Sequence, residues 1–292
     1  MATTTIQAFK EFAEKIKPTS NQLETIQTKR SATHNYLLEG FDASDEMPLD
    51  RTVIIGSASR DTIIRPLDDI DILAVFSDAT NIYENKYIYD SHAFINRVRN
   101  VLGQNFTDTV VGTRGQAVRL FYKSGPHVDI APVFMDSGGG YLLPSGNGGW
   151  LKTDPDVQAA WFSEQNKELD YHLRPLVRLL KRWNNEHSKD IKSYHLEVMV
   201  ANTFKTLGGN SRNAINKFFT WSQSHIDVYD PAGHSGNLSN YLTWNTRRDL
   251  IARLTSAAER TQKALDAEDA GDHAEAIRLW RIELGSEFPS YG

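Results

Sequence analysis

Asp69-Ile70-Asp71-Ile72-Leu73-Ala74 is the stretch of this sequence that decides its fold, because polar and apolar residues alternate along it. A period of two is typical of a half-buried β-strand, whose successive side chains point to opposite faces of a sheet. We therefore expect the two isoleucines and Ala74 to face the core, with the two aspartates and Leu73 on the other face. Two carboxylates would then stand side by side.

Two neighbouring carboxylates repel each other unless a cation relieves the repulsion, and their hard oxygens suit Mg²⁺ or Mn²⁺. Val128-Asp129-Ile130 repeats the alternation, so a neighbouring strand would bring a third acid beside the first two. Three carboxylates can hold two metal ions about 3.5–4 Å apart, where one activates an attacking hydroxyl and the other stabilises a leaving phosphate. We predict that Asp69, Asp71 and Asp129 are catalytic residues and ligands of two Mg²⁺ ions, with Mn²⁺ as a substitute.

The apolar run Val53-Ile54-Ile55-Gly56-Ser57 precedes these acids and predicts a phosphate-binding turn. Glycine lets the backbone approach a phosphate closely, and the serine adds a hydroxyl and an N–H group. The same Gly-Ser pair is common in ordinary turns. Nucleotide binding by Gly56 and Ser57 is favoured because the pair is followed along the chain by the two acidic runs. Secondary candidates for phosphate, ribose or acceptor contacts are Ser59, Arg60, Thr62, Gln116 and Arg178.

Several of these secondary candidates have an ordinary alternative. Arg60 and Thr62 follow the turn closely enough to touch phosphate or ribose, but they could equally pair with acids on the surface. Gln116 and Arg119 precede Asp129 on a predicted strand, although we expect neither, taken singly, to contact an acceptor nucleotide. No histidine has the spacing of a metal ligand, so all nine are interpreted as structural or solvated.

Periodicity along the chain predicts an α+β protein with a mixed sheet backed by helices. The glycine-rich runs at 137–140 and 145–149 lack the Lys and Ser/Thr of a Walker A loop and are interpreted as a mobile connection to a helical second half. We place the domains at 1–160 and 161–292, with the active site in the cleft between them. The predicted helices cover 6–16, 19–41 and 90–102, and the predicted strands lie within 52–76 and 107–134.

A basic stripe in the helical half is formed by Arg174, Arg178 and Lys181, at i, i+4 and i+7 of a predicted helix. Such a stripe could face a triphosphate, because a triphosphate carries enough negative charge to be stabilised by several basic side chains. Most charged stripes are instead solvated. Spacing alone leaves both interpretations open.

Composition excludes several other classes. With 292 residues, 40% hydrophobic and 24% charged, the chain can bury a substantial core, and no apolar run has the length of a membrane span. The polar N-terminus lacks the features of a signal peptide, so we expect a cytoplasmic protein. The absence of cysteine excludes thiol catalysis, and the net charge of −5 argues against a broad nucleic-acid surface.

The order Gly56-Ser57, Asp69-Ile70-Asp71 and Val128-Asp129-Ile130-Ala131-Pro132 resembles the DNA-polymerase-β-like nucleotidyltransferase superfamily. It is more similar to the bacterial cGAS/DncV-like nucleotidyltransferases, the second-messenger synthases of CBASS antiphage systems. Leu179-Leu180-Lys181-Arg182-Trp183-Asn184 and Lys192-Ser193-Tyr194-His195-Leu196-Glu197 resemble the helical-lobe motifs of the same proteins. The end of the chain is similar to their closing helix, so the resemblance covers nearly the whole chain.

This resemblance implies a nucleotidyltransferase palm followed by a helical lobe. It implies that Lys181 and Ser193 contact the triphosphate and that Tyr194 stacks on a base, which an aromatic face does without strong selection among bases. The chain has no cysteine, so it cannot form the zinc-binding insert that engages DNA in animal cyclic GMP-AMP synthase, and DNA activation is not expected.

The resemblance further implies that ribonucleoside triphosphates, ATP among them, are joined into a cyclic di- or trinucleotide with release of pyrophosphate. A separate effector would read this product during antiphage defence, and proteins from the same operon would regulate the enzyme. Two alternatives stay open at this point. One is a linear oligonucleotide synthase or RNA-tailing enzyme, and the other is an inactive nucleotide-binding scaffold. Some relatives are conjugated through a C-terminal glycine, which here would be Gly292.

Overall fold

The strands that carry the predicted acids pair in parallel within a mixed sheet, seven strands of which lie in the described residues. The computed structural model describes residues 1–106 and 110–292. The strands of the sheet are β1 (Leu49–Ile54), β2 (Asp69–Phe76), β3 (Val110–Arg114), β4 (Ala117–Phe121), β5 (His127–Met135), β6 (Tyr141–Pro144) and β7 (Trp150–Thr153). The helices, which follow one another in chain order around these strands, are α1 (Thr5–Ile16), α2 (Ser20–Gly40), α3 (Gly56–Ser59), α4 (Ser91–Asn105), α5 (Pro155–Glu168), α6 (Leu173–Glu186), α7 (Ser193–Thr203), α8 (Ser211–Ser222), α9 (Trp244–Asp269) and α10 (His273–Leu284).

The sheet has the order β1-β2-β5-β4-β3, with β6 and β7 continuing from β5. Only β2 and β5 run parallel among the described strand pairs, and the others are antiparallel. The α+β class with a mixed sheet is therefore confirmed. The predicted strand region began at residue 107, and its first residues, 107–109, lie outside the described part of the chain.

Burial along β2 confirms the predicted alternation at its start. Ile70 and Ile72 are fully buried, whereas Asp69 and Asp71 on the other face are partly exposed. Leu73 departs from the expected pattern because it is also buried, in a small second cluster with Val75, Val133 and Tyr141. Both faces of β2 are thus covered beyond the acids, which lie where one face is still open.

The first two helices begin and end within one residue of the predicted ranges 6–16 and 19–41. α1 ends at Ile16 before Pro18, and α2 starts with a capping box in which Thr19 and Gln22 bond each other's backbone N–H groups. Asp90 caps α4 by accepting a hydrogen bond from the Ala93 N–H group. These caps fix the starts of two helices of the sheet-containing half.

The glycine-rich runs are not a mobile connection, and this prediction was wrong. They form turns on either side of β6, where Asp136 N–H donates to Gly140 O at 3.0 Å and Ser145 N–H donates to Gly149 O at 2.9 Å. Gly139 and Gly140 adopt φ values of +88° and +76°, which other residues rarely adopt. The glycines therefore serve tight turns between paired strands.

The chain divides into two units that differ from the expected domains at 1–160 and 161–292. The sheet unit contains Pro18–Arg60 and Leu67–Ala159, and the helical unit contains Met1–Lys17, Asp61–Pro66 and Ala160–Gly292. The change of unit after residue 159 lies close to the expected boundary, but α1 and the short segment Asp61–Pro66 belong with the helices.

Aromatic packing explains why α1 joins the helical unit. Phe9 packs edge-on against Trp280 with ring centroids 4.9 Å apart, and Phe12 packs against Phe288 at 5.1 Å. The two ends of the chain also meet, because Ala2 N–H donates to Ser290 O at 2.9 Å and Gly292 N–H donates to Ala2 O at 3.3 Å. Among the described helices, none has the length and apolar character needed to cross a membrane.

Candidate active site

The parallel register of β2 and β5 brings the three predicted acids together. Asp71 lies directly opposite Asp129, and Asp69 lies opposite His127, two residues earlier on the same strand. The Asp69 side chain is 44% exposed and the Asp129 side chain is 16% exposed. The prediction that a neighbouring strand carries the third acid is confirmed. The catalytic and metal-binding roles of the three acids stay predictions.

Gly56 makes room for one of these acids. It has φ +67°, and a Cβ atom at this position would lie 2.1 Å from Asp71 Oδ2. Ile55 N–H also donates to the Asp71 carbonyl oxygen at 2.9 Å, which fixes the turn against β2. The predicted phosphate turn is the short helix α3, and its glycine is required by the Asp71 carboxylate itself.

Arg119 is the residue that sequence reasoning undervalued. It lies opposite Asp129 in the antiparallel pair β4–β5, and its Nε and Nη2 atoms each donate to one Asp129 oxygen at 2.5 Å. Nη2 is also 3.5 Å from Asp69 Oδ2. Hydrogen bonding to Asp129 raises the pKa of Arg119 above its ordinary value; burial opposes the increase, and the charges of Asp129, Asp69 and Asp71 add to it.

The donor set of the acids fits a hard divalent cation. It consists of carboxylate oxygens on adjacent strands, one of which occupies a space that any side chain at position 56 would fill. In the described part of the chain, no three His, Asp or Glu side chains are already arranged to hold a metal ion. Both Asp129 oxygens are instead bound by Arg119.

Lys181 lies in a buried polar cluster of the helical unit. Its Nζ atom is 2.6 Å from Glu197 Oε1 and 2.9 Å from Thr62 Oγ1, and Thr62 donates to the same Glu197 oxygen at 2.6 Å. The Glu197 side chain is fully buried, and that of Lys181 is 7% exposed. The ammonium predicted to contact triphosphate is here paired with an internal carboxylate.

Arg178 is likewise paired rather than solvated. Its Nη2 atom donates to the Asp61 side chain at 2.5 Å and to the Asp61 carbonyl oxygen at 2.6 Å. Arg178 and Lys181 of the basic stripe on α6 therefore attach the Asp61–Pro66 segment to the helices, a role that spacing alone does not indicate. Arg174 lies at the edge of this group and donates to Ser163 Oγ at 3.2 Å.

The remaining predicted contacts lie on α7 of the helical unit and on α3 of the sheet unit. Ser193 is exposed at the first position of α7, and the half-buried Tyr194 next to it donates from its hydroxyl to Asp230 at 2.9 Å. Ser57 is partly exposed within α3, and Ser59 is exposed and donates to the Gly56 carbonyl oxygen at 3.0 Å.

Three secondary candidates differ from their expected settings. Arg60 and Thr62, for which pairing with acids on the surface was one of two interpretations, are only 3% and 0% exposed. Gln116 lies in the turn before β4 rather than on a strand. Thr62 belongs to the segment Asp61–Pro66, in which the chain returns to the helical unit, and local periodicity does not reveal this return.

Comparison with known proteins shows which family the chain is similar to. Residues 3–166 match the model of the Second Messenger Oligonucleotide or Dinucleotide Synthetase domain. A probable cyclic nucleotide synthase of Bacillus cereus is 30% identical over 81% of both chains. A cyclic AMP-AMP-AMP synthase of Acinetobacter sp. is 25% identical over 98% of this chain and 86% of its own.

A solved structure agrees with the fold. The chain of CdnC in a CdnC:HORMA-deltaN complex from E. coli MS115-1 superposes with a TM-score of 0.78, covering 97% of this chain and 98% of that one. Their sequences are 19% identical, so this match concerns the fold alone.

Proposed function

Because this chain belongs to the family of second messenger oligonucleotide or dinucleotide synthetases, we propose that it joins ribonucleoside triphosphates into a cyclic di- or trinucleotide and releases pyrophosphate. Membership confirms the resemblance to the bacterial cGAS/DncV-like nucleotidyltransferases. The observation that carries the proposal is the register of β2 and β5, which sets Asp71 opposite Asp129 with Asp69 beside them.

The three acids would hold two Mg²⁺ ions, with Mn²⁺ as a substitute. When bound, such ions make an attacking hydroxyl more acidic and stabilise charge on a leaving phosphate. Asp129 would accept the proton of the acceptor ribose hydroxyl as the new phosphodiester bond forms and pyrophosphate leaves. Gly56 keeps the space that the Asp71 carboxylate needs, and Ser57 offers its hydroxyl and N–H group to the triphosphate.

The helical unit would supply further nucleotide contacts. Ser193 presents an exposed hydroxyl at the start of α7, and the Tyr194 ring would stack on a base while its hydroxyl stays bonded to Asp230. Lys181 would contact a phosphate from a position in which Glu197 already offsets the charge of its ammonium. This contact is therefore the most demanding part of the proposal.

A cyclic product containing adenosine is favoured by the relative that matches 98% of this chain, which is named a cyclic AMP-AMP-AMP synthase. ATP is therefore proposed as a substrate. The CdnC:HORMA-deltaN complex supports regulation by a partner protein. We extend the proposal to a cytoplasmic role in antiphage defence, in which a separate effector protein binds the product.

Mass spectrometry of a reaction with all four ribonucleoside triphosphates and Mg²⁺ or Mn²⁺ tests this function. We expect a cyclic product that disappears in Asp71→Asn and persists in Asp136→Asn, an acid just beyond β5 that is paired with Lys152 at 2.5 Å. Linear products alone would refute cyclisation, and full activity of Asp71→Asn would refute the site. Calorimetry with a non-hydrolysable triphosphate completes the test, because binding indifferent to Mg²⁺ and to Asp71→Asn would indicate a scaffold.

A further inference from the structure

Arg119 has the geometry of a built-in counter-ion for the acid cluster. Its backbone is fixed by the antiparallel register of β4 and β5, directly across from Asp129. Its guanidinium donates one hydrogen bond to each Asp129 oxygen at 2.5 Å, which is the bidentate geometry in which arginine binds carboxylates most strongly. A bidentate pair fixes the relative orientation of the two side chains in addition to pairing their charges.

The guanidinium is held on other sides as well. Nη2 lies 3.5 Å from Asp69 Oδ2, so one cation reaches two of the three acids. The Arg119 carbon Cζ lies 5.8 Å from the ring centroid of Phe121, two residues along the same strand. With 10% of its side chain exposed, Arg119 is a fixed part of the sheet rather than a surface charge.

The contact between Arg119 and Asp129 affects both the charge of the acid cluster and the binding of a metal ion to it. Three carboxylates on neighbouring strand positions repel one another, and the positive guanidinium offsets that repulsion without any metal. A divalent ion that binds Asp129 shares one of the two oxygens to which Arg119 donates. Because two cations beside one carboxylate repel each other, each weakens the other's hold on Asp129.

We propose that Arg119 acts as a positioning residue that holds Asp129 in the metal-free protein and releases it when a divalent ion binds. Metal binding is then an exchange of one cation for another, and the acids are never left uncompensated. This inference rests on the proposed metal site formed by Asp69, Asp71 and Asp129.

Binding of Mn²⁺ alone, followed by electron paramagnetic resonance without nucleotide, tests the exchange. Arg119→Gln is expected to bind Mn²⁺ about tenfold more tightly than the unchanged protein, the scale on which partners of metal ligands alter affinity. Arg119→Lys, which keeps the charge but not the two-pronged contact, is expected to lie between them. Equal or weaker Mn²⁺ binding by Arg119→Gln would overturn the proposal.

Arg97→Gln is the matched control, because Arg97 also grips a carboxylate of the sheet unit with two bonds, to Asp45 at 2.8 and 2.9 Å. It is expected to leave Mn²⁺ affinity unchanged. If it tightened binding as much as Arg119→Gln, the effect would be one of general charge and the assignment to Arg119 would fail.

Thermal unfolding in EDTA separates this inference from the proposed function. Arg119→Gln should lower Tm, and adding Asp129→Asn to it should restore most of the loss, whether or not metal binds. An unchanged Tm, or no rescue, would refute the counter-ion role. Failure of the proposed metal site would instead appear as Mn²⁺ affinity that is indifferent to Asp69→Ala and Asp71→Ala.

Discussion

At the residue scale, the backbone of Gly56 and the carboxylate of Asp71 depend on each other. The positive φ of Gly56 turns the chain from β1 into α3, and the missing side chain leaves the space that Asp71 Oδ2 fills. An L-residue in this conformation costs about 1–2 kcal/mol before any clash is counted. The site therefore tolerates glycine alone at this position.

We expect Gly56→Ala to reduce turnover by roughly 100-fold, because displacement of a reacting group by about 1 Å has an effect of that size. The folded state should persist with a modest loss of stability. Gly103→Ala in α4 is the matched control, since no atom lies within 4 Å of its added Cβ. Steady-state kinetics and thermal unfolding measure both effects, and normal turnover of Gly56→Ala would contradict the prediction.

The pair of Lys181 and Glu197 makes a second prediction at this scale. Lys181→Met removes the ammonium that pairs with the fully buried Glu197 carboxylate and should lower the free energy of unfolding by about 3–5 kcal/mol, as measured by denaturant unfolding. Adding Glu197→Gln should recover most of that loss. Lys167→Met, which removes the exposed partner of Glu164, should change stability by less than about 1 kcal/mol.

The double variant also separates structure from substrate binding. If Lys181 contacts the triphosphate as the family resemblance implies, Lys181→Met with Glu197→Gln restores stability but not activity. Restoration of both would assign Lys181 a structural role only.

Residues of one strand were predictable, whereas partners across strands were not. The alternation in Asp69-Ile70-Asp71 sufficed to place two acids on one face, and the third followed from a similar run. The role of Arg119 could not be recognised, because it comes from lying opposite Asp129, and local periodicity does not give the register that pairs two residues 10 positions apart on different strands. The contact between Thr62 and Glu197 could not be predicted for the same reason, since 135 positions separate the two residues.

At the element scale, the start of α7 is held by a chain of hydrogen bonds through His195. Its Nε2 atom lies 2.7 Å from the Ile226 carbonyl, which only accepts, so Nε2 carries the proton and Nδ1 accepts from Tyr241 at 3.0 Å. The Tyr241 oxygen in turn accepts from Lys192 N–H at 2.8 Å. The neutral ring thus positions the helix turn that carries Ser193 and Tyr194.

Stability should therefore fall in mild acid. Burial lowers the pKa of His195, so the unfolded chain binds a proton more readily than the folded one and unfolding is favoured as pH drops below about 6.5. His195→Gln should flatten this part of the pH profile of the unfolding free energy. The exposed His225 provides the control, and an equal effect of His225→Gln would contradict the assignment to His195.

Element boundaries with chemical signals were predictable, and elements without them were not. Pro18 with Thr19 marked the break between α1 and α2, and Asp90 marked the start of α4. The strands β6 and β7 have four residues each, which is too few for alternation to be recognised. The glycine-rich runs beside them also made a strand prediction less favourable. Composition suggested flexibility where the glycines in fact serve positive φ.

At the scale of the whole molecule, the chain passes between the two units four times, after residues 17, 60, 66 and 159. A fragment of residues 160–292 therefore lacks α1, whose Phe9 and Phe12 fill the core beside Trp280 and Phe288. We expect that fragment to unfold without cooperativity, as followed by near-ultraviolet circular dichroism. A fragment of residues 18–159 should unfold cooperatively, and the reverse result would contradict the division.

A single substitution tests the same division in the intact chain. Phe12→Ala should destabilise the protein by about 3–5 kcal/mol, as expected for a fully buried aromatic ring. The exposed Ile6 on the same helix provides a comparison, since Ile6→Ala removes little buried area.

The packing of α1 also sets the order in which the molecule can be made. Phe12 leaves the ribosome 276 positions (288 − 12) before its packing partner Phe288. At about 5–20 residues per second, the apolar face of α1 stays uncovered for roughly 14–55 s. A helix that is synthesised before the sheet unit thus belongs to a core that closes after it, and its apolar face is open to non-native contacts during that interval.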